Sequence, residues 1–335
     1  MRRLGAVQAQ VSASAELAIS LRRRRSKPRE VARALADGQI IKVWIMRGAM
    51  HLVTPEDGGA YLSMKAENRQ WELPSWQSFY RMAPGDWEAL RAAVREALAD
   101  KPLTPDELGA AITVLPKFRH LGFAFAKHWG TFLKPLFWQG VMSFGPTRDG
   151  SPTFQRLDDN PRWAGLPEPD EAGPRVVESY FRAYGPATID NVGHWTEAGR
   201  KRVGSWMATL GDRLVDVELD DGTAAFVLRE DLRELAATSQ TAAVRFLPGY
   251  DQWVMGPGTA DRHIVPHARR SLLSRQAPFV TAGGVVSGTW AISDDQVTVD
   301  WFAEAGRWPL PALEEEVARL ATIMDRQLEL TVRKV

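Results

Sequence analysis

Two neutral amides, Gln8 and Gln10, stand among small apolar residues in the opening stretch LGAVQAQ. On a regular helix, residues two apart point about 200° away from each other, whereas on an extended segment they share a side. The pair can therefore converge on one point only where the chain is extended or bends into a helix. A glutamine offers one carbonyl acceptor and one NH₂ donor and takes up no proton at neutral pH. It can orient a water molecule and favour a developing positive charge, but it is no strong general base. Set against this, glutamine is common on surfaces, and two of them near a terminus more often mean solvated polar surface than a site.

Positive charge is the second chemical signal. Lys and Arg number 42 against 41 Asp and Glu, a formal net charge of +1, so the chain as a whole attracts no polyanion and any nucleic-acid binding must come from local clusters. Three clusters exist: Arg22, Arg23, Arg24 and Arg25 followed by Lys27 and Arg29; Arg200, Lys201 and Arg202; and Arg269 with Arg270. Any one alone reads as a solvated face. Several together, rich in arginine, raise the prospect of phosphate contacts. Arg262 and His263, in the loop from Gly256 to His267, extend the list of candidate DNA contacts.

Other chemistries are excluded or disfavoured. The absence of cysteine removes disulfides, thiolate catalysis and cysteine-ligated zinc or iron–sulfur centres. No metal site and no cofactor are expected, because Pro266 opposes the helix that would pair His263 with His267, and His120 and His128 have no acidic partner pattern. No apolar run approaches a membrane span and the start lacks a signal-peptide core, so the expectation is a cytoplasmic protein with no membrane partner. Trp71, Trp76, Trp129, Trp138 and Trp206 fall at spacings typical of helix cores rather than of base-stacking platforms.

The elements that must carry these residues follow a repeated order. A short helix ends near Gly38, then apolar runs Ile40 to Met46 and Ala49 to Thr54 flank Arg47-Gly48, the layout of a winged helix. A second pass has Asp86 as a helix cap, Thr104-Pro105 opening another helix, a helix over Thr131 to Gln139, and strand-like runs around a Gly/Pro-rich tip in VMSFGPTRDGSPTFQRL. A third has helices to Tyr184, from Thr188, and over Arg200 to Leu210, then strands Leu214 to Leu219 and Ala224 to Leu228 about Asp220-Asp221-Gly222. From Ala242, short strands and tight turns predict a small β-barrel or β-sheet module, closed by an amphipathic helix over Leu310 to Leu330. The expected division is 1–70, 71–165, 170–236 and 240–335.

The segments LGAVQAQ, RGAMHLVTPED, AYGPATIDNVGHWT, FLPGYDQWVMG and GTWAI resemble, in this order, the AlkZ-like family of bacterial DNA glycosylases. The resemblance runs over nearly the whole chain. It implies an α+β fold of three tandem winged-helix units (helix-turn-helix plus β-hairpin wing) around a C-terminal β-barrel, and a nucleoid-associated protein. In that family a Gln-x-Gln motif in the first unit carries catalysis, a related branch having Gln-x-Asp, and Gln8-Ala9-Gln10 matches the first of these. The motif stands nearer the start than in the family, whose members carry a helical segment ahead of it; the expectation is an abbreviated first unit or a start further upstream.

The implied reaction fits what neutral amides can do. N7- or N3-alkylated purines are cationic and depart as neutral bases, leaving an oxocarbenium-like sugar that a held water can attack. Gln8 and Gln10 would jointly position that water and support the sugar cation. No lysine amine is required, so the product is an abasic site without a lyase step, and the resemblance extends the substrates to bulky adducts and interstrand crosslinks in double-stranded DNA. His51, in MHLV at a position where the family also has histidine, would reach a phosphate or the lesion, or else is a packed strand histidine; Arg47 would hold phosphate or do nothing measurable. Tyr250, Asp251 and Trp253 read as structure first, with Asp251 a lesser candidate for chemistry beside DNA. The rival class is a non-catalytic winged-helix DNA-binding protein or transcription regulator, commonly a symmetric dimer. Three different units supply no two-fold half-sites, which favours a monomeric glycosylase, while a degenerate member that binds lesions without cutting stays open.

Overall fold

The structure, a computed structural model, describes residues 1–27 and 29–335. The chain divides into two compact units, one made of Met1–Ala6 and Ala32–Ser179, the other of Val7–Val31 and Tyr180–Val335.

In the first unit, strands Ile41–Trp44 and Met50–Val53 pair antiparallel, as do Met142–Phe144 and Phe154–Arg156. The sequence presents these as two separate wings, but they share one sheet, joined through Lys42 opposite Phe144. The reason lies in burial. Three of the four residues of Ile41–Trp44 and all of Met142–Phe144 are buried, so these strands are covered on both faces, unlike a wing standing in water. The cover is aromatic: the Trp44 ring lies 4.7 Å from Phe137 and 4.8 Å from Phe144, and Phe144 lies 5.5 Å from Phe154. The Trp138 indole N–H donates to the Trp44 carbonyl at 3.0 Å, so the one polar atom of that ring has a partner.

Helix signals read from the sequence resolve with small shifts. Thr104 caps Pro105–Thr113 in a capping box with Glu107. Asp86 is the first residue of Asp86–Ala97, and its carboxylate accepts from the Ala83 backbone N–H at 2.9 Å. The helix expected over Thr131 to Gln139 is two, Gly122–Phe132 and Lys134–Trp138. Trp71, Trp138 and Trp206 are buried, whereas Trp76 and Trp129 are only partly so.

In the second unit, helices Ile189–Thr196 and Arg200–Leu210 precede the hairpin Leu214–Glu218 and Ala224–Leu228, whose turn contains Gly222 at φ 80°. Val244–Leu247, Phe279–Ala282, Val285–Ser293, Gln296–Trp301 and Glu329–Lys334 form a five-stranded sheet in sequence order. All neighbours are antiparallel except the last pair, which is parallel. Among the described residues this sheet is open, which corrects the expectation of a closed barrel. Helix Leu310–Met324 lays Leu313, Val317 and Leu320 against Val244, Phe246, Val297 and Trp301, filling with its own side chains the space a barrel would close upon. The edge strand Glu329–Lys334 keeps its charged residues in water, a common way to blunt an edge.

The closing helix also ends earlier than its sequence suggests, at Met324 rather than Leu330. Asp325 takes a left-handed conformation at φ 53° and stops it. The alternating Glu-Leu-Thr-Val-Arg-Lys that follows suits a pleated strand.

Candidate functional site

The backbone changes course between the two amides, and their side chains differ in exposure. Val7–Gln8 is extended, the chain bends at Gln10, and a helix runs over Ser12–Ser20. Gln8 is 7% exposed between Val7 and Ala9, each at 1%, while Gln10 is exposed. One amide is thus held in a low-dielectric environment, where its dipole acts strongly on nearby charge, and the other meets solvent water.

The helix that follows is anchored to the C-terminal sheet of its own unit. Leu17 packs against both apolar clusters of that sheet, and Leu21 belongs to one of them with Leu247, Val254 and Phe279. At its end, Arg22 donates to both carboxylate oxygens of Asp251 at 2.8 and 2.6 Å and to the Ala18 carbonyl at 2.9 Å. Arg319 donates to the Leu21 carbonyl and pairs with the buried Glu316, which Arg245 also faces at 3.3 Å. Two guanidinium groups therefore satisfy the last carbonyls of this helix, the end where its dipole favours positive charge. Burial opposes the charge on Arg22, but the Asp251 carboxylate outweighs it and holds the guanidinium pKa above its ordinary value.

This arrangement explains the FLPGYDQWVMG segment. Asp251 has a fully buried side chain, and it also accepts from the Trp253 backbone N–H at 2.8 Å, capping the turn Gln252–Met255. Gly249 has no room for a side chain, since a Cβ would stand 2.2 Å from the Gln276 carbonyl oxygen. Tyr250 takes φ 66°, a conformation costly for a residue with a side chain, and so delivers Asp251 to Arg22. The sequence contains both partners but no sign of their pairing across 229 positions.

Each basic cluster gives up part of its charge to internal pairs. Arg22, expected as a DNA contact, is paired with Asp251, and Arg23 pairs with Glu30 at 2.8 Å. Arg24, Arg25 and Lys27 remain exposed. Arg200 pairs with Asp190, Arg202 lies 5.2 Å over the Trp206 ring, and Lys201 is exposed. Three cations in the first turn oppose the helix dipole, an arrangement that an anion there would relieve. Arg269 is held in a bidentate pair by Glu304, and the exposed Arg270 is its neighbour. His263 stands between Asp221 at 3.2 Å and Asp261 at 3.1 Å, while Arg262 is exposed.

In the other unit, His51 is completely buried on strand Met50–Val53, with Nδ1 3.0 Å from the Ala49 carbonyl oxygen. Burial lowers its pKa to about 3; the hydrogen bond to Ala49 works the other way, and the nearby Arg47 charge adds to the lowering. A neutral, enclosed imidazole makes no salt link to phosphate, which favours the packed-strand alternative. Arg47, half-buried at φ 52°, shares that environment.

The buried imidazole has a consequence for acid stability. Because its folded pKa lies below the ordinary 6.5, the stability it permits is complete above pH 6.5 and is lost as pH falls toward 3. Between pH 7 and 4 the wild type should lose on the order of 3 kcal/mol more than His51→Gln, which does not titrate. Denaturant unfolding at the two pH values measures this; equal losses would mean that His51 charges freely in the folded protein.

Comparison with known proteins adds three findings. A family model described as DNA glycosylase AlkZ-like matches residues 1–323. An interstrand DNA cross-link repair glycosylase of Streptomyces sahachiroi is 38% identical over 328 residues, covering 95% of this chain and 88% of that protein. The solved structure of the Streptomyces sahachiroi DNA glycosylase AlkZ superimposes with a TM-score of 0.93 at 37% identity, over 99% of this chain and 92% of the other.

Proposed function

This chain belongs to the DNA glycosylase AlkZ-like family and is a hydrolase of N-glycosyl bonds, and from that premise we propose that it releases N7- or N3-alkylated purines, bulky and crosslinked adducts included, from double-stranded DNA to leave an abasic site. The observation that carries this reading is the amide pair itself: a buried Gln8 and an exposed Gln10 where an extended segment turns into an anchored helix. Such a pair suits a reaction whose leaving group is already cationic, since no proton need be supplied to it. Gln8 and Gln10 together hold the attacking water and favour the sugar cation. The relative of 38% identity bears the description of an interstrand cross-link repair enzyme, which supports including crosslinked purines.

DNA is held by the cations left over from internal pairing: Arg24, Arg25 and Lys27, then Lys201 and Arg262, with Arg270 beside them in chemistry. The chain works as a monomer at the nucleoid, and affinity falls steeply with salt because it rests on phosphate contacts. No helix among the described residues is long and apolar enough to cross a membrane.

The test is base release from a duplex carrying one N7-alkylguanine, followed by alkaline cleavage of the product strand. Release of the free base with alkali-dependent cleavage supports the reading. Cleavage without alkali would reveal a lyase step, and tight binding without release from either a methylated or a bulky adduct would make the protein a lesion-binding module.

A further inference from the structure

Residues 108–148 contain neither aspartate nor glutamate, although the chain as a whole carries almost as many acids as bases. The same stretch holds Lys117, Arg119, Lys127, Lys134 and Arg148, and it includes helix Gly122–Phe132. The aromatic residues of Pro74–Tyr80, a helix equally free of carboxylates, meet it. Where they meet, Phe79 is 53% exposed, with its ring 5.8 Å from Phe123 and 5.3 Å from His128, both edge-on. Phe123 in turn lies 6.1 Å from His128 and nearly parallel to Tyr80 at 6.3 Å. His128 and Lys127 are exposed, and so are Arg81, which directly follows Tyr80, and Arg119. Of the carboxylates beside this stretch, Asp86 is engaged by Lys117 at 2.9 Å and Glu107 pairs with Arg148.

A phenylalanine left half in water forfeits much of the stabilisation its burial would bring, so folding alone gives no reason for Phe79 to stand where it does. We propose that this face binds an unpaired stretch of nucleic acid, a base stacking on Phe79 while Lys127, Arg81 and Arg119 meet the flanking phosphates. Rings interleaved with cations match a polymer in which flat bases alternate with negative charges. Intact duplex offers its base edges in the grooves but not their π-faces, which restricts the stacking to unpaired nucleotides. An acidic peptide has the charge without a flat ring at each step. The inference does not depend on the amide pair or on any lesion.

The experiment is fluorescence anisotropy of a labelled, lesion-free oligodeoxythymidine of about fifteen nucleotides, the span of a typical single-strand site, with a duplex of equal length alongside. Phe79→Ala should weaken single-strand binding at least fivefold, roughly the effect of losing one stacked base. Phe79→Trp should restore it, and duplex binding should change less than about twofold. Lys127→Ala, a substitution at the surface, should flatten the salt dependence by about 0.7 in the log–log slope. Single-strand binding that is absent from the wild type, or unaltered in Phe79→Ala, overturns the proposal. So does a defect of Phe79→Ala confined to a polyglutamate peptide or to anionic phospholipid vesicles.

Discussion

Base release from an N7-alkylguanine duplex should fall at least about tenfold in Gln10→Ala, a loss of roughly 1.4 kcal/mol of transition-state stabilisation. Stability should stay within about 0.5 kcal/mol of the wild type, as expected of a surface change. The two readouts separate because Gln10 is exposed, just ahead of the helix Ser12–Ser20. Gln8→Ala should show a comparable loss of rate, but with a destabilisation of about 1–3 kcal/mol. Gln8 is 7% exposed, and removing its amide disturbs a buried polar environment. Single-turnover rates and urea unfolding of both variants check this. A full rate in Gln10→Ala would remove the exposed amide from the mechanism and leave Gln8 to act alone.

The second large effect concerns the anchor of that helix. Asp251→Ala should cost about 3–5 kcal/mol, because it strands the Arg22 guanidinium beside a buried surface without its carboxylate. The double variant Arg22→Leu with Asp251→Leu should recover much of that loss, since two apolar residues need no mutual compensation. Base release in the double variant should still be reduced, because the hydrogen bond from Arg22 to the Ala18 carbonyl goes with the guanidinium. Urea unfolding of single and double variants measures the first part and single-turnover release the second. A single variant losing under about 1 kcal/mol would mean that the pair is held no more strongly than a surface ion pair.

Much of the local structure was legible because it depends on neighbours in sequence. The hairpin around Asp220-Asp221-Gly222 follows from turn chemistry, and the opening of Pro105–Thr113 from a Thr-Pro start with a glutamate three residues after the threonine. The amide pair was legible as a candidate for a different reason, its place in an ordered set of landmarks. What was hidden depends on partners far away. Nothing in VMSFG indicates that Phe144 will face Lys42, and nothing in the arginine run distinguishes Arg22, which turns inward, from Arg24 and Arg25, which stay in water. His51 illustrates the same limit, since its residue type fits phosphate binding and packing alike and the burial that favours packing is not readable from its neighbours in sequence. The open sheet was misread as a barrel because strand count and turn spacing do not reveal which face a later helix will cover.

The partnership of Arg22 with Asp251 also sets a timetable for synthesis. A ribosome adding about 5–20 residues per second needs roughly ten to forty-five seconds after Arg22 before Asp251 exists, and longer before Arg319 can reach the Leu21 carbonyl. Through that interval the helix that follows both glutamines lacks these two guanidinium contacts, so its anchoring is completed only as the last part of the chain emerges. Premature termination anywhere upstream of the C-terminal sheet therefore yields a fragment that lacks the anchor altogether.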